Sequence, residues 1–245
     1  MSFTSLQIRY QTARSLPAPY AYFYTLTAQP TGPDVQIDLT ITYPDRDDID
    51  DDELIAEGFT RDDDFSWSGR LPDAWLRALG EVADKTRLQP VDEEQLGEDD
   101  DFWSVTLDGN DESGNSGTPA NADDWQYVVQ ELIQATYEAD KRERPFELAF
   151  LDNDGRGAGH QLLLTASFAA RTVVVRDSHN QRDGSRTLPW STLQRVMSAV
   201  YSVDFDPGRM LNRRPKTGGQ WLNLGADEWY DVSGFRELTA MLQRL

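Results

Sequence analysis

A chain of 245 residues, 38% hydrophobic and 11% aromatic, holds enough apolar material for one large folded domain or two small ones, which excludes global disorder. A net charge of −20 sets it against nucleic-acid backbones and anionic membranes, and zero cysteines remove disulfides, thiolate nucleophiles and cysteine metal sites. No apolar run approaches the ~20 residues that span a bilayer, and MSFTSLQIRYQTARSL lacks the pattern of a secretory signal, so a cytoplasmic location is expected.

Two alternating stretches, 21–29 and 35–44, flank PTGPD and predict a β-hairpin. A short helix is expected within DDDELIAEGF, with Gly58 as its C-terminal stop, and a short strand over 65–69. Pro72 suits a first helical turn, and Trp75, Leu76, Leu79, Val82 and Ala83 follow at three- and four-residue steps. The polar segment 109–121 reads as a flexible loop. A long helix should then carry Trp125, Val128, Val129, Leu132 and Thr136 on one face, capped by Asn121 or Asp123, favoured at its end by Lys141 and Arg142, and stopped by Pro145.

The remainder restates this plan. Segments 146–154 and 160–168 flank the glycine-rich GRGAG as a second hairpin, 171–177 is a β-branched strand, and Asp183-Gly184 signals a turn. A helix from Leu188-Pro189 aligns Trp190, Leu193, Val196, Met197 and Val200; a strand over 220–225 and an amphipathic helix over 235–245 close the chain. The predicted class is α+β, antiparallel sheets with packed amphipathic helices, in an acidic half 1–144 and a near-neutral half 145–245. Two echoes suggest duplication: Leu71-Pro72 against Leu188-Pro189, and ADDWQYV (122–128) against ADEWYDV (226–232).

Charge divides the same way. Residues 1–144 contain 32 Asp and Glu against 11 Lys and Arg, whereas 145–245 contain 11 against 12. Segments 45–64 and 92–112 hold 21 of the acids. Aromatic residues beside these runs, Trp67 and Trp103 among them, match the hot-spot pattern of an apolar anchor rimmed by charge. The candidate contact residues are therefore Asp62, Asp63, Asp64, Trp67, Asp99, Asp100, Asp101 and Trp103. A basic loop, with Arg209, Arg213, Arg214 and Lys216, is a second candidate surface for a phosphate or an acidic partner.

Catalytic signatures are missing: no phosphate-binding loop, nucleophile elbow or HExxH motif occurs, and His160 and His179, the two histidines, read as turn residues. The acidic segments beginning at Asp108 and Asp152 both fail the spacing of a calcium loop. No cofactor is expected. The leading expectation is a non-enzymatic adaptor or accessory subunit that engages a basic protein partner, without direct nucleic-acid or membrane contact. The alternatives are an inhibitor or immunity-type protein mimicking nucleic-acid charge, and an enzyme with a carboxylate-based metal site.

Overall fold

The computed structural model describes residues 3–91, 94, 96–109, 115–153, 159–179 and 182–245. Its contacts separate two compact units, Met1–Asp140 and Lys141–Leu245, each with its own antiparallel sheet and helices. The class is α+β.

In the first unit, β1 (Ser5–Gln11), β2 (Phe23–Thr31) and β3 (Asp34–Thr42) precede a short helix α1 (Asp51–Ala56). Then come β4 (Phe65–Leu71), α2 (Asp73–Ala83), β5 (Leu88–Gln89), β6 (Phe102–Asp108), β7 (Asn115–Pro119) and α3 (Ala122–Ala139). The sheet runs β4-β3-β2-β1-β6-β7-β5. Period-two alternation places Leu6, Ile8 and Tyr10, Leu26 and Ala28, and Ile37, Leu39 and Ile41 in the core, with Ile8 opposite both Leu26 and Val105. Helix α2 packs on β3, β4 and α3. Its Trp75 and the Trp125 of α3 are fully buried, and the Trp125 indole donates to Thr86 Oγ1 at 2.8 Å, the partner that a buried indole N–H requires. Gly32 opens the β2–β3 turn at φ +65°, where a side chain would be strained.

The second unit contains β8 (Phe146–Asn153), β9 (Gly159–Ser167), β10 (Thr172–His179), β11 (Arg182–Leu188), α4 (Ser191–Tyr201), β12 (Gly219–Asn223), β13 (Tyr230–Asp231) and α5 (Arg236–Leu242). Its sheet order is β11-β10-β9-β8-β12-β13. Leu148, Phe150, Leu162, Leu164, Val173 and Val175 are buried, as are Leu193, Val196 and Val200 of α4 and Leu238 and Leu242 of α5.

Several expectations need correction. Strands occupy 5–11, 102–108 and 115–119, where none was read. The last lies inside the segment expected to be loop, and its backbone pairing with Val105–Leu107 supplies what its weak strand formers do not. Residues 110–114 of that segment lie outside the described residues, as do 155–158 of the GRGAG turn. Asp183 and Gly184 are not a turn: they stand inside β11, opposite Ser178 and Asp177. His160 and His179 are strand residues paired across β9 and β10. Asn121 occupies the N-cap position of α3, yet its side chain makes no capping bond and donates to Asp124 Oδ2 at 3.2 Å. Of the two echoes, the Leu-Pro pairs both join a strand to a helix, β4 to α2 and β11 to α4. The second separates: 122–128 opens α3, whereas 226–232 runs through bends into β13. Trp75 and Trp190 differ also. Trp75 is inside α2 and sealed; Trp190 precedes α4, half-exposed, with its ring edge-to-face on Phe168 at 5.1 Å.

Candidate functional site

Both acidic segments attach to one piece of chain, the connection 12–22 between β1 and β2. At its start, the Ala13 N–H and the Tyr10 hydroxyl donate to the two oxygens of Asp101, each at 2.8 Å. The Ser15 N–H donates to the Glu98 carbonyl at 2.9 Å, and Arg14 Nη2 to the Leu96 carbonyl at 2.9 Å. At its end, the Tyr20 hydroxyl donates to Glu57 Oε2 at 2.6 Å, and Arg46 Nη2 to the Pro19 carbonyl at 3.1 Å. Segments 96–101 and 45–64 therefore gather at one end of the sheet, where β1 finishes and β2 begins.

Segment 45–64 is held by two arginines. Arg46 is only 3% exposed, its guanidinium lying over the Tyr43 ring at 4.0 Å and the Phe59 ring at 4.8 Å. It donates to the Thr60 carbonyl at 2.7 Å and pairs with Asp63. Asp63 also accepts from the Thr60 N–H at 2.9 Å and from its hydroxyl at 2.6 Å. Burial alone would raise the Asp63 carboxyl, but those Thr60 bonds and the guanidinium outweigh it and hold the group below the ordinary aspartate range. Asp64 accepts from the Tyr43 N–H at 2.8 Å. Arg61 binds Asp51 at 2.5 Å and the Ile49 carbonyl at 2.6 Å, so the turn before α1 is tied to the chain after it. Asp50 caps α1 through the Asp52 N–H at 2.9 Å, and Gly58, at φ +84°, follows its end.

An aromatic seam underlies this end. Tyr10 contacts Trp103 at 4.9 Å, Tyr24 at 5.1 Å and Tyr22 at 5.5 Å, and Tyr22 reaches Tyr43 at 5.9 Å. Burial pushes the hydroxyls of Tyr10, Tyr22, Tyr24 and Tyr43 upward, and the hydrogen bond to Asp101 adds to this at Tyr10. Tyrosines raised and an aspartate lowered keep one protonation state at neutral pH. They serve here as hydrogen-bond anchors and fixed charge.

The predicted contact residues thus divide. Asp63, half-buried, and Asp64 and Asp101, both exposed, act as staples through their hydrogen bonds, and Asp100 closes a tight turn by accepting from the Gly97 N–H at 2.9 Å. Asp62 and Asp99 are exposed. Trp103 is half-buried in the seam; Trp67 is half-buried on edge strand β4, its ring folded over Gly69, where a Cβ would fall 2.5 Å from it. Sequence reading missed the apolar part of this surface: Leu16, Tyr20 and Phe23 are 39%, 43% and 41% exposed, and Ile55 is 66% exposed. A signal existed for Ile55. Neighbours on a helix point about 100° apart, so burying Leu54 turns Ile55 outward. The same segments carry the exposed carboxylates Asp48, Asp52, Glu53, Asp62, Glu98 and Asp99.

The basic loop belongs to the second unit. Arg209 faces Asp206 at 3.8 Å, Arg214 Nη2 donates to Gln161 Oε1 at 2.6 Å, Pro215 is buried, and a bridge joins Leu211 to Trp229. Arg213 and Lys216 are exposed, with no side-chain partner among the described residues. Among those residues, no group of three or more His, Asp or Glu side chains is placed to hold a metal ion, and no helix is long and apolar enough to cross a membrane. No protein-family model, curated protein or solved structure matches the chain.

Proposed function

We propose that the chain is a non-enzymatic binding protein, an adaptor or accessory subunit, whose first unit docks a basic, amphipathic segment of a partner protein. The observation that carries this reading is the pairing of exposed Leu16, Tyr20, Phe23 and Ile55 with exposed carboxylates on two segments tied to one connection. Apolar side chains would anchor the contact, and acids around them would select lysine and arginine. A phosphate-mimicking inhibitor has no use for aliphatic anchors among its acids, so Ile55 favours the adaptor.

We infer further that the two units are elaborations of one plan. What supports this is the shared order of a four-strand meander, a helix, and further strands added beside the first strand of the meander, three in the first unit and two in the second. Leu71-Pro72 and Leu188-Pro189 fall at the same junction of that plan. The reading isolates the acidic surface as an addition. The connection after the third strand of the first unit spans 43–64, far longer than a hairpin turn. A long connection stapled by its own side chains is where binding functions commonly reside.

The test uses the intact chain captured with its partner from the source cells. Association should slow by about tenfold or more between low and ~0.5 M salt, where the Debye length shrinks to a few Å. A quadruple change, Asp48→Asn, Asp52→Asn, Glu53→Gln and Ile55→Ser, alters exposed positions alone and should abolish capture while leaving the thermal melt in place. Undiminished capture by that variant would remove this surface. Neutralising Asp62, Asp63 and Asp64 together is a poor test, because two of the three hold the segment in shape.

A further inference from the structure

The second unit carries a separate groove between α4 and α5, of about 520 Å³, whose wall includes Arg195, Arg236 and Arg244. Its apolar lining is Val196, Ala240, Met241 and Leu245, and Glu237 contributes one opposing charge. The unit that holds the groove, Lys141–Leu245, has 12 acidic side chains to 15 basic ones. Among the described residues, the Arg195, Arg236 and Arg244 guanidinium groups have neither an ion pair nor a side-chain hydrogen bond. Three such arginines around an apolar trough give it a positively charged wall.

The spacing says what fits. Arg236, Ala240 and Arg244 stand four residues apart along α5 and the turn that follows it, so the outer two are separated by about 12 Å of helical rise. Charge lies at both ends of the trough and apolar surface between. An amphiphile with a single anionic head, such as a fatty acid, satisfies one end only. We infer that this groove binds an acidic amphipathic helix of a partner protein, with carboxylates about two turns apart and aliphatic side chains between them. The arginines take the carboxylates through forked charge-assisted hydrogen bonds, and the partly exposed Ala240, Met241 and Leu245 receive the aliphatic residues. This site is independent of the acidic surface of the first unit and takes a ligand of opposite charge.

The probe is a fluorescein-labelled synthetic helical peptide with two glutamates seven residues apart and leucines between them, titrated into the intact chain and read by anisotropy. Replacing Arg195, Arg236 and Arg244 with Ser should weaken binding by about 100-fold. Ala240→Trp, which fills the trough without changing charge, should do the same, and a peptide with glutamine in place of glutamate should bind about 100-fold more weakly. Circular dichroism melts check that the variants stay folded; should the Trp variant unfold, Met241→Ser replaces it, with a loss of about tenfold expected. Equal affinity for wild type and the triple-serine variant would overturn the inference. So would binding indifferent to both trough substitutions, or displacement of the peptide by equimolar dodecanoate.

Discussion

Arg46 shows how one side chain can turn a repelling run of acids into a shaped segment. Its guanidinium is sandwiched by Tyr43 and Phe59 while its nitrogens reach Pro19, Thr60 and Asp63, so it touches three parts of the chain at once. Lysine would keep the charge but lose the flat face and the fork. Arg46→Lys should therefore cost about 2–4 kcal/mol in urea unfolding, and a value near zero would mean that the stacking contributes nothing. Asp63 gives a pH test. A carboxyl whose folded pKa lies below its unfolded one adds stability above the unfolded value and loses it as pH falls through the folded value. Asp63→Asn should thus cost about 1–3 kcal/mol at pH 7, with the gap to wild type closing below about pH 4. A gap that did not narrow at all on acidification would assign the loss to geometry rather than charge. Nothing in the run RDDDF marks the middle aspartate as the one that turns in. Composition counts the charges of a segment but does not say which carboxylate meets which N–H.

Among the elements, the two Leu-Pro helices were legible and their tryptophans were not. Three- and four-residue steps located both, and α2 and α4 span 73–83 and 191–201. However, aligning the prolines sets Trp75 against Thr192, not against Trp190, and Thr192 is the buried residue. Trp75→Ala should cost about 3–5 kcal/mol, Trp190→Ala about 1–2, since the latter loses one edge-to-face ring contact and an Arg171 stack at 5.1 Å from a partly wet site. Equal losses would restore the equivalence that the helix positions deny. The hairpins were legible for the same reason as the helices: apolar periodicity and turn residues are local. Strands β1, β6 and β7 were not, because their support is remote. Asn115–Pro119 has almost no strand character of its own and exists as β7 through pairing with β6 and β5. The apolar members of the candidate surface escaped because exposure depends on what a neighbour covers.

For the whole molecule, the division into units sharpens the imbalance of charge. Met1–Asp140 holds 31 Asp and Glu against 8 Lys and Arg, and Lys141–Leu245 holds 12 against 15. Titration therefore does not bring the two to neutrality together. Near the isoelectric point of 4.3, where the chain as a whole carries no net charge, the first unit is still anionic and the second is already cationic. Neutrality there is a cancellation between two unlike parts, and unlike parts of different molecules attract. Turbidity should peak close to pH 4.3 in dilute buffer and clear when ~0.2 M sodium chloride is added, because screening weakens that attraction. Aggregation driven by apolar surface would respond in the opposite sense and thicken with salt. A protein that salts in at its isoelectric point would display, in a test tube, the partition of charge between its two folded parts.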